Sequence, residues 1–277
     1  MNKLTAERRV AVVRCLVEGN SIRSTVRITG AAKNTVTKLL VDLGRACSEY
    51  QDKTLRDVKS VRVQCDEIWS FVGCKEKNVP EDRRDEKGIG DVWTWTALDP
   101  DTKLMLAWFV GERNVESAYE FMLEVESRLA NRVQLTTDGH RAYLNAVYDV
   151  FGGNIDYAML VKMYGGVSET RQRTYSPSAC IGAKKVAIEG NPDKDHVSTS
   201  FVERSNLTMR MNMRRFTRLT NAFSKKLENH SCAISLHFMY YNFARKHQTL
   251  KTSPVAAAGI VDHVWTLEEI VNLLDSN

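Results

Sequence analysis

Glu203 is a lone acid in the most basic stretch of this 277-residue chain. Between Glu203 and Lys226 it stands against Arg204, Arg210, Arg214, Arg215, Arg218, Lys225 and Lys226. At 100° per residue, Glu203, Asn206, Arg210, Arg214 and Arg218 fall on one face of a helix. Phe201, Val202, Met209, Met213, Phe216, Leu219 and Phe223 gather on the other. One face can pack on a core while the opposite face holds a carboxylate among guanidinium groups. That arrangement suits a metal ion working on a phosphate backbone.

Two more acids stand at the ends of predicted strands, Asp66 on the first and Asp138 on the fourth. Strand-end aspartates of one α/β sheet can converge at the same edge, where Glu203 can face them. Hard divalent cations such as Mg²⁺ or Mn²⁺ take oxygen ligands, a few carboxylates plus phosphate and water. Two ions about 3.5–4 Å apart serve the attacking and the leaving oxygen of an in-line phosphoryl displacement. Spacing alone does not select these three from 34 acids, because strand-end Asp also forms turns and caps helices.

Other candidates have plainer expectations. Glu67 points away from Asp66 if the strand continues, so a salt bridge or a structural hydrogen bond is its expected role. His140 can touch a scissile phosphate or serve only its loop. His196 reads as a surface histidine. His230 and His237 share a helical face but lack a partner acid or Cys pair for a metal. Trp69, Trp93, Trp95 and Trp108 are expected as core or strand-pair aromatics.

The elements that must position these residues follow from periodicity. The first fifty residues read as three helices: 6–18 with Val10, Val13, Leu16 and Val17 inward, a short 21–28, then 32–46 with Val36, Leu39, Leu40 and Leu43 inward. Thr29-Gly30 forms the turn before the third, which leaves Lys33, Asn34, Thr35, Thr37 and Lys38 outward. This pattern is that of a helix-turn-helix whose outward residues can reach phosphates and base edges; a small dimerising bundle is the alternative. Residues 51–60 are expected as a linker.

Strand signals begin at Val61, Val63 and Cys65, with further strands at 92–98 and 104–110 around the turn Asp99-Pro100-Asp101-Thr102. Helix 115–130, strand 133–137, helix 141–150 and strand 155–162 follow. The fold class expected is α/β, a mixed sheet with helices on both faces. A helical tail closes the chain over 248–277.

Charge is uneven. The first fifty residues hold nine Lys/Arg and four Asp/Glu, so the whole net charge of +5 sits there. With the stretch after Glu203 this makes two separate basic patches, which point to double-stranded DNA as partner. Six scattered cysteines with no CxxC pair argue against a zinc ribbon and a disulfide framework, and reduced, mostly buried thiols are expected. The charged, amphipathic N-terminus is no signal peptide, and the longest apolar run, Leu104 to Val110, is too short for a bilayer. A cytoplasmic protein of bacterial or archaeal type, acting at the nucleoid and with no membrane association, is expected.

Three segments carry a resemblance. Val63-Gln64-Cys65-Asp66-Glu67-Ile68-Trp69-Ser70-Phe71-Val72-Gly73, Thr136-Thr137-Asp138-Gly139-His140-Arg141-Ala142-Tyr143 and Val202-Glu203-Arg204-Ser205-Asn206-Leu207-Thr208-Met209-Arg210 resemble the three acidic motifs of the insertion-sequence-one family of DDE transposases. Trp93–Leu98 and Ala107–Arg113 are similar to its second and third strands, and Asn221–Lys226 with Glu228, His230, Tyr241 and Asn242 to its C-terminal continuation.

The resemblance spans Val61 to Asn242 and implies an RNase H-like catalytic domain over 61–247. It also implies a triad of Asp66, Asp138 and Glu203 holding two divalent ions. On the face of Glu203, Asn206 and Arg210 are expected to contact DNA or to orient a carboxylate, and Arg214 and Arg218 to track phosphates. In such enzymes water frees a 3′-OH at each transposon end and that hydroxyl attacks target DNA, which needs two ends brought together by a homodimer or a larger assembly. Two departures stand out. No Cys-rich zinc element precedes the helix-turn-helix, and Asp138 and Glu203 lie 65 positions apart, which places an insertion near 164–196. The rival readings are a DNA-binding repressor of transposition without catalysis and an RNase H-like nuclease without strand transfer.

Overall fold

The computed structural model describes residues 4–84, 86–165, 180–217 and 221–275. Six strands form one mixed sheet: β1 (Arg62–Val72), β2 (Gly90–Leu98), β3 (Met105–Gly111), β4 (Gln134–Asp138), β5 (Asp156–Tyr164) and β6 (Cys180–Glu189), in the order β3-β2-β1-β4-β5-β6. The first three run antiparallel as a meander, β4 and β5 are parallel to β1, and β6 returns antiparallel on β5. This is an RNase H-like sheet extended by one strand. β6 falls inside 164–196, so part of the expected insertion belongs to the sheet.

Alternation along β2 shows both faces being covered. Trp95 packs on Phe121 of α4 (Val115–Glu126) and Tyr143 of α5 (Ala142–Phe151). Its neighbour Thr96 meets Asn206 of α6 (Ser200–Asn212) on the opposite face. Trp69 pairs with Trp93 across β1 and β2, and Trp108 packs on Phe238, as expected of strand aromatics.

β1 does not end at Asp66. Its ladder with β2 continues to Val72 opposite Gly90, whereas its parallel ladder with β4 stops at Gln64 opposite Thr136. Carrying that register on by two residues sets Asp66 level with Asp138. The aspartates therefore face each other where β1 and β4 cease to pair, and the physical strand end is the ladder's, not the chain's.

The N-terminal helices are α1 (Ala6–Val17), α2 (Ile22–Thr29) and α3 (Lys33–Thr54). Thr5 and Ser21 cap the first two by accepting from the N–H three residues on, and Gly30 ends α2 in the left-handed region. Val36, Leu39, Leu40 and Leu43 are all buried, worth roughly 1.5–3 kcal/mol for each large side chain removed from water.

The expected linker is absent at its start, because α3 runs on through Thr54 and buries Gln51 and Leu55. Arg128 explains that continuation. Its guanidinium, on a side chain 6% exposed, donates to the carbonyls of Gln51, Asp52 and Leu55 and so satisfies the open end of the helix. Further up α3 crosses α7 (Leu227–Met239) in backbone contact: a Cβ on Gly44 would lie 2.4 Å from the Cys232 carbonyl oxygen.

The tail is shorter in helix than predicted. α8 (Pro254–Ala257) and α9 (Leu267–Asn272) are single short helices, the second closed by a capping box between Thr266 and Glu269. α9 lies against α1, with Asp275 3.1 Å from Arg9. Asn242, in the π-turn after α7, hydrogen-bonds both backbone groups of Met105 and so completes the edge of β3. No helix among the described residues is long and apolar enough to cross a membrane.

Candidate active site

α6 reaches the sheet through Gln64, whose side-chain oxygen accepts from the N–H groups of Phe201 and Val202. Those donors belong to the first helical turn, where backbone N–H groups lack partners within the helix. The anchor lays Asn206 beside Asp66, two residues along β1 on the same face. Asn206 Nδ2 donates to Asp66 Oδ2 at 2.9 Å, and its Oδ1 accepts from Thr96 Oγ1 at 3.2 Å.

Asn206 is 6% exposed and both ends of its amide are engaged. It orients the Asp66 carboxylate, the second of the two roles expected of it. The reason is the helix phase: Val202, Ser205, Asn206 and Met209 form the buried stripe of α6, and Asn206 goes with the core rather than with Glu203.

Burial pushes the Asp66 carboxyl up to about 6; the Asn206 hydrogen bond opposes this, and the charges of Asp138 and Glu203 add to it. Asp138 accepts from the backbone N–H of His140 at 2.9 Å and lies 4.0 Å from an Arg113 guanidinium nitrogen. His140 stacks on Trp95, and burial beside Arg113 holds its imidazole below the usual range.

Glu203 is the acid the structure treats differently. Its Oε1 lies 2.5 Å from Lys162 Nζ and accepts from Thr199 Oγ1. Lys162 comes from β5. The ladder pairs Asp138 with Leu160, so two residues on, Lys162 shares the face of Asp66 and Asp138. That parity was present in the sequence, but the strand pairing needed to use it was not.

Among the described residues, Asp66, Glu67 and Asp138 each bring one carboxylate oxygen to within 4.8 Å of the other two. Glu67 was expected to point away and take only a structural role. It does bond Arg113 Nε at 3.1 Å, yet it also converges on the aspartates. Burial, then the charge of Asp138, pushes its carboxyl up to about 7, against the pull of Tyr143 and Arg113. Three gathered carboxylates match the oxygen donors that a hard divalent cation takes, so the residues present fit Mg²⁺ or Mn²⁺.

The basic face does not extend as one helix. α6 stops at Asn212, Met213 is extended, and Arg214–Phe216 form a 3-10 turn. Met213 and Phe216 are buried, and their burial against the core turns the chain away from the helix axis. Arg214 stays exposed, whereas Arg215 donates inward to Ser224 Oγ and the Asn229 carbonyl. Arg210 is half-buried on α6; Arg218 lies outside the described residues.

On α3, Lys33, Asn34 and Lys38 are exposed and Thr35 and Thr37 half-exposed; Lys38 pairs with Asp42 at 2.5 Å. Lys33 and Arg214 line one cleft of about 730 Å³ together with Arg23 and Lys225. The two basic patches recognised in the sequence therefore meet across a shared groove. His196 is a surface residue paired with Asp193, and His230 is buried between Ser70 and Ser224.

Neither a family model nor a curated protein sequence matches this chain. Among solved structures it is similar to the piggyBac transposase synaptic complex with hairpin DNA, at 11% identity and a TM-score of 0.39, over 98% of this chain and 70% of that one. It is also similar to the Mos1 strand transfer complex, at 10% identity and a TM-score of 0.24, over 86% of this chain and 80% of that one.

Proposed function

We propose that this protein is a DDE-type transposase of the insertion-sequence-one kind, acting on double-stranded DNA at the ends of a mobile element. One observation carries the reading: Asp66 and Asp138 stand level on adjacent parallel strands, and α6 is fastened across them with Glu203 at its first turn. The reaction is hydrolysis of a phosphodiester at each element end, then attack of the freed 3′-OH on target DNA. No nucleotide cofactor is needed, since transesterification conserves the number of phosphodiester bonds.

Asp66 and Asp138, with Glu203, would hold two Mg²⁺ or Mn²⁺ ions, which when bound supply Lewis acidity to the phosphodiester oxygens. The protein's own part is positioning. Asn206 fixes the Asp66 carboxylate, and the Asp138 loop is pinned by its bond to His140 N–H. Lys162 and Arg113 bring positive charge to the rim, where a phosphate enters. Lys33, Asn34, Thr35, Thr37 and Lys38 on α3, with Arg210, Arg214 and Arg218, are the proposed DNA contacts. Residues 1–50 are the proposed helix-turn-helix unit, and a homodimer or larger assembly brings two ends together.

The reading is tested with purified protein, Mg²⁺ and a duplex carrying the DNA that flanks the coding region. A transposase nicks that duplex and joins the new 3′ end to a second DNA. Nicks without joining would reduce the protein to a nuclease, and binding without nicks to a regulator.

A further inference from the structure

Beyond Asp66 the two faces of β1 differ. Ile68, Ser70 and Val72 are buried, whereas Trp69 and Phe71, on the other face, stay half-exposed. That other face is covered at Trp95 by α4 and α5. Past this cover Trp93, the cross-strand partner of Trp69, is half-exposed as well. The ring centroids of Trp69 and Phe71 lie 5.7 Å apart, and a bridge from Ser224 to Val72 sets Phe223 at 4.9 Å from Phe71. Trp93, Trp69, Phe71 and Phe223 thus form one row of partly exposed rings.

Cations stand along the row. Arg113 lies 5.0 Å over Trp93, Lys75 5.8 Å over Trp69 and Lys225 3.9 Å over Phe223. Lys77 and Arg84 join Lys75 and Trp69 around a hollow of about 560 Å³. The two acids of that hollow, Glu76 and Asp91, each accept from the other's backbone N–H. The row begins at Arg113, 4.0 Å from Asp138, and ends at Phe223 and Lys225, which also line the basic cleft.

We propose that this row binds a single DNA strand, with unpaired bases on the four rings and phosphates on the flanking cations. The inference rests on reading the protein as a DNA-cutting enzyme and names a ligand which that reading does not. Every base has a π-face and every nucleotide a phosphate, so rings interleaved with cations match both parts of the strand. A duplex hides its base faces in its own stack and can offer the row only phosphates. The lysines over the rings are weak competitors, because exposed cation–π contacts are worth less than base stacking. An entering base displaces them onto the phosphates.

The test is anisotropy titration of the full chain with a short fluorescein-labelled oligothymidylate, an abasic strand of equal length and a duplex of random sequence. Wild type is expected to bind oligothymidylate at least about fivefold tighter than the abasic strand. Trp69→Leu and Phe71→Leu are each expected to weaken oligothymidylate at least about fivefold and duplex less than about twofold. Trp69→Phe keeps a ring and is expected to stay within about threefold of wild type. Thermal melts check that the variants fold, and the comparison with the abasic strand needs no variant.

Equal affinity of wild type for the abasic strand and oligothymidylate overturns the proposal and leaves the row to a protein partner or to the fold alone. Wild-type affinity in folded Trp69→Leu and Phe71→Leu overturns it too. A chain that nicks and joins element-end duplex yet fails these comparisons loses this inference alone. One that binds neither strand nor duplex loses the DNA reading with it.

Discussion

Lys162 Nζ lies 2.5 Å from Glu203 Oε1, so the third acid of the proposed triad is held by a lysine from β5 while Asp66 and Asp138 stand level across the strand gap. A cation arriving at the aspartates must compete with that ammonium for Glu203. Partly exposed ion pairs contribute about 0.2–1 kcal/mol, so Lys162→Gln is expected to raise Mn²⁺ affinity by about 1.4- to fivefold. Calorimetric titration measures it. An unchanged or weaker affinity would show that the pair does not compete with the metal.

Asn206 is the only side chain seen donating to Asp66 among the described hydrogen bonds. Asn206→Ala removes a bond to a charged acceptor and leaves Thr96 Oγ1 without its amide partner, a loss of about 1–3 kcal/mol. Chemical denaturation is expected to show that loss, together with a weakened Mn²⁺ response, because Asp66 would no longer be held in place. Stability equal to wild type would mean that Asn206 is not ordering the carboxylate.

Acid stability is expected to report two buried histidines. Burial pushes His230 and His237 down to about 3, with Arg215 and Arg245 respectively adding to the effect. Ser70, Ser224 and the ring of Phe216 also face His230. Both rings stay neutral in the fold, whereas the unfolded chain takes up their protons near pH 6.5. Their contribution is therefore complete above about 6.5 and is lost as pH falls toward 3, at about 1.4 kcal/mol per pH unit for each histidine.

Asp66 and Glu67 act in the opposite sense, since their raised values make the fold the better proton binder between about pH 4 and 7. The clean measurement is thus a difference. Denaturation of His230→Gln between pH 4 and 6 should show a slope shallower than wild type by about one proton, and identical slopes would contradict the assignment.

Gly44 sets how closely α3 approaches α7. A methyl group there meets Cys232 backbone atoms at 2.4–2.7 Å, a contact that only movement of a helix can relieve. Ala for Gly normally favours a helix by about 1 kcal/mol, yet overpacking at about 1–3 kcal/mol is expected to win, leaving Gly44→Ala less stable by a net of up to about 2 kcal/mol. Thermal denaturation gives the sign directly, and a stabilised variant would mean that the two helices separate freely.

Much of this arrangement was legible in the chain because local patterns and tertiary packing agree. Val36, Leu39, Leu40 and Leu43 announce the buried face of α3, and Val63 and Cys65 announce β1. Asp66 and Asp138 could be matched as strand-end acids, although the relevant end proved to be that of a ladder between two strands. What escaped the sequence depends on partners far along the chain. Arg128 extends α3 through the expected linker, and Met213 and Phe216 bend the chain out of α6 with no Gly or Pro to signal it. Asn206 and Glu67 were both placed by side-chain period alone; the fold gives Asn206 the carboxylate-orienting one of its two expected roles and brings Glu67 close to both aspartates. Lys162 needed the β4–β5 register to be seen at all.

The most direct measurement is strand cleavage and joining on element-end DNA with Mg²⁺ by Asp66→Asn, Asp138→Asn and Glu203→Gln, each first shown to bind that DNA as wild type does. Every one of the three is expected to bind yet lose both nicking and joining by at least a hundredfold, about 2.7 kcal/mol of transition-state stabilisation. Wild-type cleavage by any one of them would remove that residue from the site and contradict the account.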